Sequence, residues 1–402
     1  MDTDDIFIAR QPIFDRNNQL IGYELLYRAG DTDVASFEDG NLASTEVILN
    51  TFMNIGIDNL VGSSLAFINV TEAFLINESL TPEFEHQAVL EMLEDIKPSQ
   101  EVVEGIKQLK ALGYKIALDD FRFSPEYDPV LKLVDFIKID VLDLDAVQVA
   151  KELEHLKKYD LQLIAEKVET PELYAFCYEV GFDGFQGFHF CKPQLVTKKH
   201  IPANKLVVLN ILKKLENPNF HFHDISTTLA NDVTLTYKLL RYVNGAAFAH
   251  RKEIESIEEA LILVGANTVK KWSMLILMTR LSEGRPRELL VTALVRARMC
   301  DLLAEQVGAN NEQLFTIGLL STLDALMGVE MVDLLDDLAM SISIKTALLD
   351  YEGVGGEILF NVINYEKGNW NELEKHGVKA KAYIPHYMEA VKWADETIMA
   401  LE

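Results

Sequence analysis

Along the first 200 residues, oxygen-bearing side chains and one lysine interrupt a series of short apolar runs. Glu24 closes the first run, Asn69 the second, Glu91 the third, and Asp119 with Asp120 the fourth. Lys138 sits in the fifth, Glu166 at the end of the sixth and Gln186 in the seventh. Carboxylates and an amide oxygen brought to one place would repel one another unless cations lay among them. All-oxygen donors of this kind suit Mg2+ or Mn2+. One or two such ions beside a lysine form a workable site for phosphodiester hydrolysis, because the metal activates water and offsets the charge on the phosphate. Taken singly, an Asp or Glu at a strand end is more often a turn or helix cap, and Asp119–Asp120 could cap the turn that follows. Seven polar strand ends in succession point to a site.

The runs that carry these residues read as strands at 20–27, 64–70, 88–93, 114–121, 136–140, 161–168 and 181–190. Between them lie helical stretches. In 99–113, Val102, Val103, Ile106, Leu109 and Leu112 recur every three or four residues and Gly113 ends the pattern. Apolar strands alternating with amphipathic helices predict βα units and a parallel sheet. So many units in a row predict a closed TIM-like (β/α) barrel, in which the strand ends converge on one mouth. Two hundred residues is near the lower limit of about 200 for that barrel, so some of its helices should be short or missing.

Composition narrows the classes. The chain has 402 residues, 49% of them hydrophobic and 25% charged, a globular balance that excludes general disorder. No apolar run approaches the roughly 18 residues that cross a bilayer, and the acidic opening MDTDDIFIAR is unlike a signal peptide. A cytoplasmic protein without membrane insertion is expected. Cys177, Cys191 and Cys300 have neither the number nor the spacing of a disulfide framework or zinc site. Net charge is −26; residues 1–200 contribute −19 of it (17 basic, 36 acidic). Such a surface repels a phosphate backbone, so a nucleic acid polymer is not an expected partner, while a small phosphate ligand would need local cations.

From about residue 201 strand signals give way to helices, with the boundary near 197–205. The expected domains are therefore an α/β barrel over 1–200 and an all-α domain over 201–402. Ser256 and Glu259 have capping-box spacing. The run His221, His223, Asp224 invites a metal reading, but its place before a helix favours Asp224 as an N-cap. The Trp272–Met278 stretch reads as a packed helix face.

FIARQPIFDRNNQLIGYELLYR (7–28), FINVT, LEMLED, LDDF, IKID, AEKVET and FQGFHFCKP together resemble the EAL family of cyclic di-GMP phosphodiesterases over about residues 5–195. The resemblance implies that Glu24, Asn69, Glu91 and Asp119 hold one metal and that Asp119 and Asp120 help hold a second. It implies that Lys138 positions the attacking water, with Glu166 as ligand or general base and Glu169 supporting the loop over the metals. Gln11, Arg28 and Gln186 would contact the dinucleotide, and the product would be linear pGpG. Three departures stand out: Leu25 in place of the signature alanine, Lys167 in place of glycine, and Arg122-Phe123-Ser124-Pro125 where the family has a glycine-rich loop. Glycine reaches backbone conformations closed to bulky residues and proline, so this loop must take another path.

The helical half resembles the HDOD family over roughly 200–390, through Asn244–Phe248 and the Ser256–Gly265 run. Ser321 and Thr322 stand where a related HD hydrolase has its His-Asp pair, and no histidine occurs between His250 and His376. The resemblance therefore implies a non-catalytic output domain that binds a protein partner, and a homodimer. Two functions stay open at this stage: a Mg2+- or Mn2+-dependent cyclic di-GMP phosphodiesterase, or a catalytically inactive cyclic di-GMP receptor or scaffold acting through the helical domain.

Overall fold

The computed structural model describes residues 6–29, 56–76, 85–142, 144–187, 208–209, 211–214, 233–244, 254–338, 340–376 and 380–401. The chain forms two compact units: Met1–His189 together with Asn364–Ile384, and Phe190–Ile363 together with Pro385–Glu402. A single division at 200/201 therefore does not account for Asn364–Ile384, a segment of the helical half that packs with the barrel.

Eight strands close into a barrel in sequence order: β1 Ile6–Asp15, β2 Leu20–Ala29, β3 Leu65–Val70, β4 Ala88–Met92, β5 Lys115–Leu118, β6 Phe136–Asp140, β7 Gln162–Glu166 and β8 Gly184–Gln186. All neighbours from β2 to β8 are parallel, but β1 runs antiparallel to both β2 and β8. This strand is absent from the sequence reading, because Arg10, Gln11 and Pro12 interrupt its apolar pattern and proline argues against an interior strand. A short turn joins it to β2, with Asn18 in the left-handed region (φ 59) and the Asp15 carboxylate accepting from the Asn17 and Gln19 N–H groups.

The alternation of a strand puts every second residue on one face. Ile13, Phe67, Val89, Ala117, Phe136 and Ile164 pack as one buried apolar layer, with Ile21 and Leu65 against it. Two residues further along β3 to β7 come Asn69, Glu91, Asp119, Lys138 and Glu166. A polar layer therefore lies directly over the apolar one, toward the C-terminal strand ends. Each fully buried aliphatic side chain of the lower layer contributes about 1.5–3 kcal/mol, which is what fixes the register of the layer above.

Around the barrel, helix Gln100–Ala111 is capped by Ser99, whose Oγ accepts from the Val102 N–H, and Gly113 (φ 101) follows its end. Val102, Ile106 and Leu109 are buried, whereas Leu112 lies past the last turn and is exposed. Ala146–Leu156 and Pro171–Val180 are of similar length, whereas the helices at Ile57–Val61 and Glu72–Ile76 are short.

In the second unit the described regular elements are helical. Gly265 (φ 86) separates the helices Ile257–Val264 and Ala266–Leu281. Ser256 caps the first through the Glu259 N–H at 3.1 Å, but the Glu259 carboxylate accepts from the Glu255 N–H, one residue before the position a capping box requires. Trp272 and Met274–Met278 are buried, consistent with a packed face. No helix among the described residues is long and apolar enough to cross a membrane.

Candidate active site

The register brings the sequence-predicted carboxylates together around one ammonium. Lys138, fully buried on β6, places Nζ 3.1 Å from Glu24, 2.9 Å from Glu91, 2.8 Å from Asp119 and 2.8 Å from Glu166. Asn69, paired with Glu91 in the β3–β4 ladder, donates from Nδ2 to Glu24 Oε1 at 3.5 Å. Glu24 is not at a strand end: β2 continues to Ala29, and Glu24 lies opposite Gln11 on β1 and Phe67 on β3. The antiparallel β1 extends the pairing of β2 beyond the mouth, so the functional level falls in its middle.

One ammonium cannot neutralise four buried carboxylates, and their acidities show the deficit. Burial pushes Glu91 well above the ordinary carboxylate range, beyond what Lys138 offsets. Burial likewise takes Glu166 up to about 8, against the pull of Lys138, and raises Asp119. Burial also acts upward on Glu24, but the Lys138 charge and hydrogen bonds from Gln186, Lys138 and Asn69 outweigh it and hold that carboxyl below its ordinary value. Burial would lower Lys138; the surrounding carboxylates overcome this and raise it well above the usual lysine range.

Among the described residues no group of three or more His, Cys, Asp or Glu has metal-holding geometry, since Lys138 Nζ lies at the point where the carboxylates converge. The donor chemistry nevertheless fits a hard divalent cation. The donors are all oxygen, their negative charge exceeds that of Lys138, and among the described residues both buried Glu91 oxygens lack a hydrogen bond, with the Lys138 ion pair as their compensation.

Gln186, at the end of β8, donates from Nε2 to Glu24 Oε2 at 2.6 Å and to Gln11 Oε1 at 3.1 Å. Its own Oε1 is buried without a hydrogen-bond partner among the described residues. Gln11 thus joins the rim of the cluster. Arg28 pairs with Phe7 in the β1–β2 ladder; its side chain lies outside the described residues. Glu169 is exposed, and among the described residues it has no ion pair with the cluster.

Beside the first cluster is a second, which joins the expected Asp120 to Lys167 and to Asp140, a residue the sequence did not single out. Asp140, two positions after Lys138 and level with Glu166, forms an ion pair with Lys167, whose Nζ is also 3.8 Å from Asp120. The strand alternation in IKID was the available signal for Asp140. Asp120 (φ 42) and Lys167 (φ 54) both adopt left-handed backbone, and burial raises the Asp120 carboxyl. Strain of this kind in non-glycine residues clusters at functional sites.

The Arg122–Pro125 loop is held without glycine. Arg122 donates to the Phe121 and Asp140 carbonyls, the Phe123 N–H donates to Glu152 at 2.8 Å, and the Phe123 ring stacks on His155 at 4.3 Å. Phe121 is buried edge-on to Tyr127. No residue from Arg122 to Pro125 has positive φ, so the loop follows a different path from one that needs glycine.

In the helical unit the Ser321 hydroxyl is used by the Gly318 carbonyl at 2.7 Å, and Thr322 is buried. Asn244 grips Ile254 through two hydrogen bonds of 2.8 Å, a structural tie between the two positions. His221, His223, Asp224, Cys191 and residues 245–248 lie outside the described residues.

Family models for the EAL domain and the HDOD domain match residues 32–193 and 201–342. Among curated proteins, "Uncharacterized protein YuxH" of Bacillus subtilis is 31% identical over 400 residues, covering 96% of this chain and 98% of that protein. "Cyclic di-GMP phosphodiesterase CdgJ" of Vibrio cholerae is 29% identical, covering 97% and 92%. Among solved structures, the FimX EAL domain of Pseudomonas aeruginosa bound to c-di-GMP is 21% identical, with TM-score 0.37 over 47% of this chain and 90% of that one. With both domains matched in order and a relative aligned along nearly its whole length, the chain belongs to the family of proteins that join an EAL barrel to an HDOD domain.

Proposed function

We propose that the barrel hydrolyses one phosphodiester bond of cyclic di-GMP to give linear pGpG, using one or two Mg2+ or Mn2+ ions. The observation that carries this reading is the convergence of Glu24, Glu91, Asp119 and Glu166 on Lys138 at one mouth of the barrel. Glu24, Asn69, Glu91 and Asp119 would hold one ion, with Asp119 and Asp120 toward a second. Bound there, a metal would supply Lewis acidity and offset the phosphate charge. Lys138 and Glu166, 2.8 Å apart, form a pair able to hold or pass the proton of the attacking water. Gln11, Arg28 and Gln186 would orient the dinucleotide, and Glu169 would support the neighbouring loop. The name of the Vibrio cholerae relative supports the same substrate.

A receptor without turnover is favoured by one specific feature: Lys167 engages Asp140 and approaches Asp120, where the resembling family has glycine. The helical unit is proposed to bind a protein partner, and the chain to act as a cytoplasmic homodimer; both rest on the family. The deciding experiment is chromatography of purified full-length protein incubated with cyclic di-GMP and Mg2+ or Mn2+. Linear product that disappears in Glu24→Ala supports the enzyme. Binding without product under either metal supports the receptor.

A further inference from the structure

Asn364–Ile384 belongs to the barrel's compact unit although some 180 residues separate it from β8, and it lies beyond both family-matched regions. What it touches is the β1–β2 hairpin. Tyr365 is fully buried, and its hydroxyl donates to the Ile8 carbonyl on β1 at 3.1 Å. Its ring meets Trp370 edge-on at 5.1 Å and stacks on Tyr383 at 5.8 Å, so the segment closes on itself around this residue. Gly368 (φ 70) makes the turn beside β2: a Cβ there would come within 3.0 Å of Leu26 Cδ1, two residues from Glu24.

The same turn reaches the rim of the site. The Lys367 carbonyl accepts from Gln11 Nε2 at 3.4 Å. An amide has one donating and one accepting end. With Nε2 taken by Lys367, Gln11 turns Oε1 to Gln186 Nε2 at 3.1 Å, and Gln186 Nε2 also donates to Glu24 at 2.6 Å. The series Lys367 carbonyl, Gln11, Gln186, Glu24, Lys138 is therefore connected by hydrogen bonds from a segment of the C-terminal half to the centre of the carboxylate cluster.

We infer that the Tyr365–Trp370 turn is a positioning element of the dinucleotide site: it holds β1 and sets the orientation of the Gln11 amide. Because the turn's segment is joined at both ends to the helical unit, it is a covalent route, besides the one that follows β8, by which a change in that unit reaches substrate recognition. The inference rests on the phosphodiesterase reading for its kinetic readout but not for its structural one.

The test uses the full chain and two variants, Tyr365→Phe, which removes only the hydroxyl, and Gly368→Val, which cannot hold φ 70 without strain. Loss of one positioning hydrogen bond corresponds to a roughly three- to tenfold rise in KM for cyclic di-GMP, with kcat within about twofold. Amide hydrogen exchange in residues 6–29 should also become faster. Ser99→Ala, a cap remote from the turn, serves as the control: it lowers stability but should leave KM and the hairpin unchanged. An unchanged KM in both turn variants overturns the inference, whatever the exchange shows. Should wild-type protein show no turnover, the phosphodiesterase reading falls and exchange alone decides: faster exchange in 6–29 supports the positioning role, and unchanged exchange overturns it.

Discussion

Replacing Lys138 by methionine removes the ammonium while keeping most of the side-chain volume. In the structure that ammonium is fully buried and lies within 3.1 Å of all four carboxylates. Removing one partner of a buried ion pair costs about 3–5 kcal/mol, because the partner left behind has lost its water as well. Here the cost does not multiply by four. Glu91, Glu166 and Asp119, already pushed upward by burial, take up protons in the variant; the loss falls on Glu24, held low by Lys138. A penalty of about 4 kcal/mol, at roughly 2–4 °C per kcal/mol for a unit of this size, lowers the melting temperature by about 8–16 °C. The pH dependence follows from the depressed Glu24: its ion-pair stabilisation is full above its ordinary value of 4.5 and lost as pH falls through the lower folded value. The gap between Lys138→Met and wild type is therefore widest near neutral pH and narrows in acid. Adding Mn2+ restores the variant, since a divalent cation supplies the missing charge. Calorimetric melting in EDTA and in Mn2+, at pH 7.5 and below pH 4.5, reads all of this. A variant in EDTA that melts within about 2 °C of wild type at pH 7.5 would show that the ammonium is not needed, because this is at most about 1 kcal/mol.

Other consequences are as concrete. Asp324 in the helical unit is pushed by burial up to about 6, so its charge costs stability above pH 6, and the cost vanishes below its ordinary value of 3.8. Asp324→Asn should raise the melting temperature of the helical unit at pH 7.5, by an energy of at most about 3 kcal/mol, and leave it unchanged near pH 3.5. Glu152→Ala removes the carboxylate that accepts from the Phe123 N–H and should speed amide exchange through residues 121–125, with Lys138 and the barrel strands unaffected. Ser99→Ala should destabilise the barrel unit by about 1 kcal/mol, read by denaturant unfolding.

The polar layer was legible because strand alternation is local: Asn69, Glu91, Asp119, Lys138 and Glu166 each sit two places beyond a residue of one apolar layer. The same rule extended by two residues would have found Asp140. β1 was hidden because Arg10, Gln11 and Pro12 break the pattern that marks a strand, and Gln11 entered only through family resemblance. The placing of Glu24 at a strand end failed for a related reason, since an antiparallel partner lengthens β2 past the mouth. The return of Asn364–Ile384 had no local signal at all. Tyr365 and Trp370 read as ordinary apolar helix and turn positions, and nothing in their spacing names the strand they cover.

The carboxylate cluster around Lys138 is proposed as a divalent-cation site at which a cyclic dinucleotide is cleaved. Its most direct test is the rate of linear pGpG formation against Mn2+ concentration, measured beside calorimetric Mn2+ binding in wild type and Glu91→Gln. Turnover and Mn2+ binding should saturate together in wild type, and both should be weakened in the variant. Turnover that persists in EDTA, or Mn2+ binding unaffected by Glu91→Gln, would contradict it.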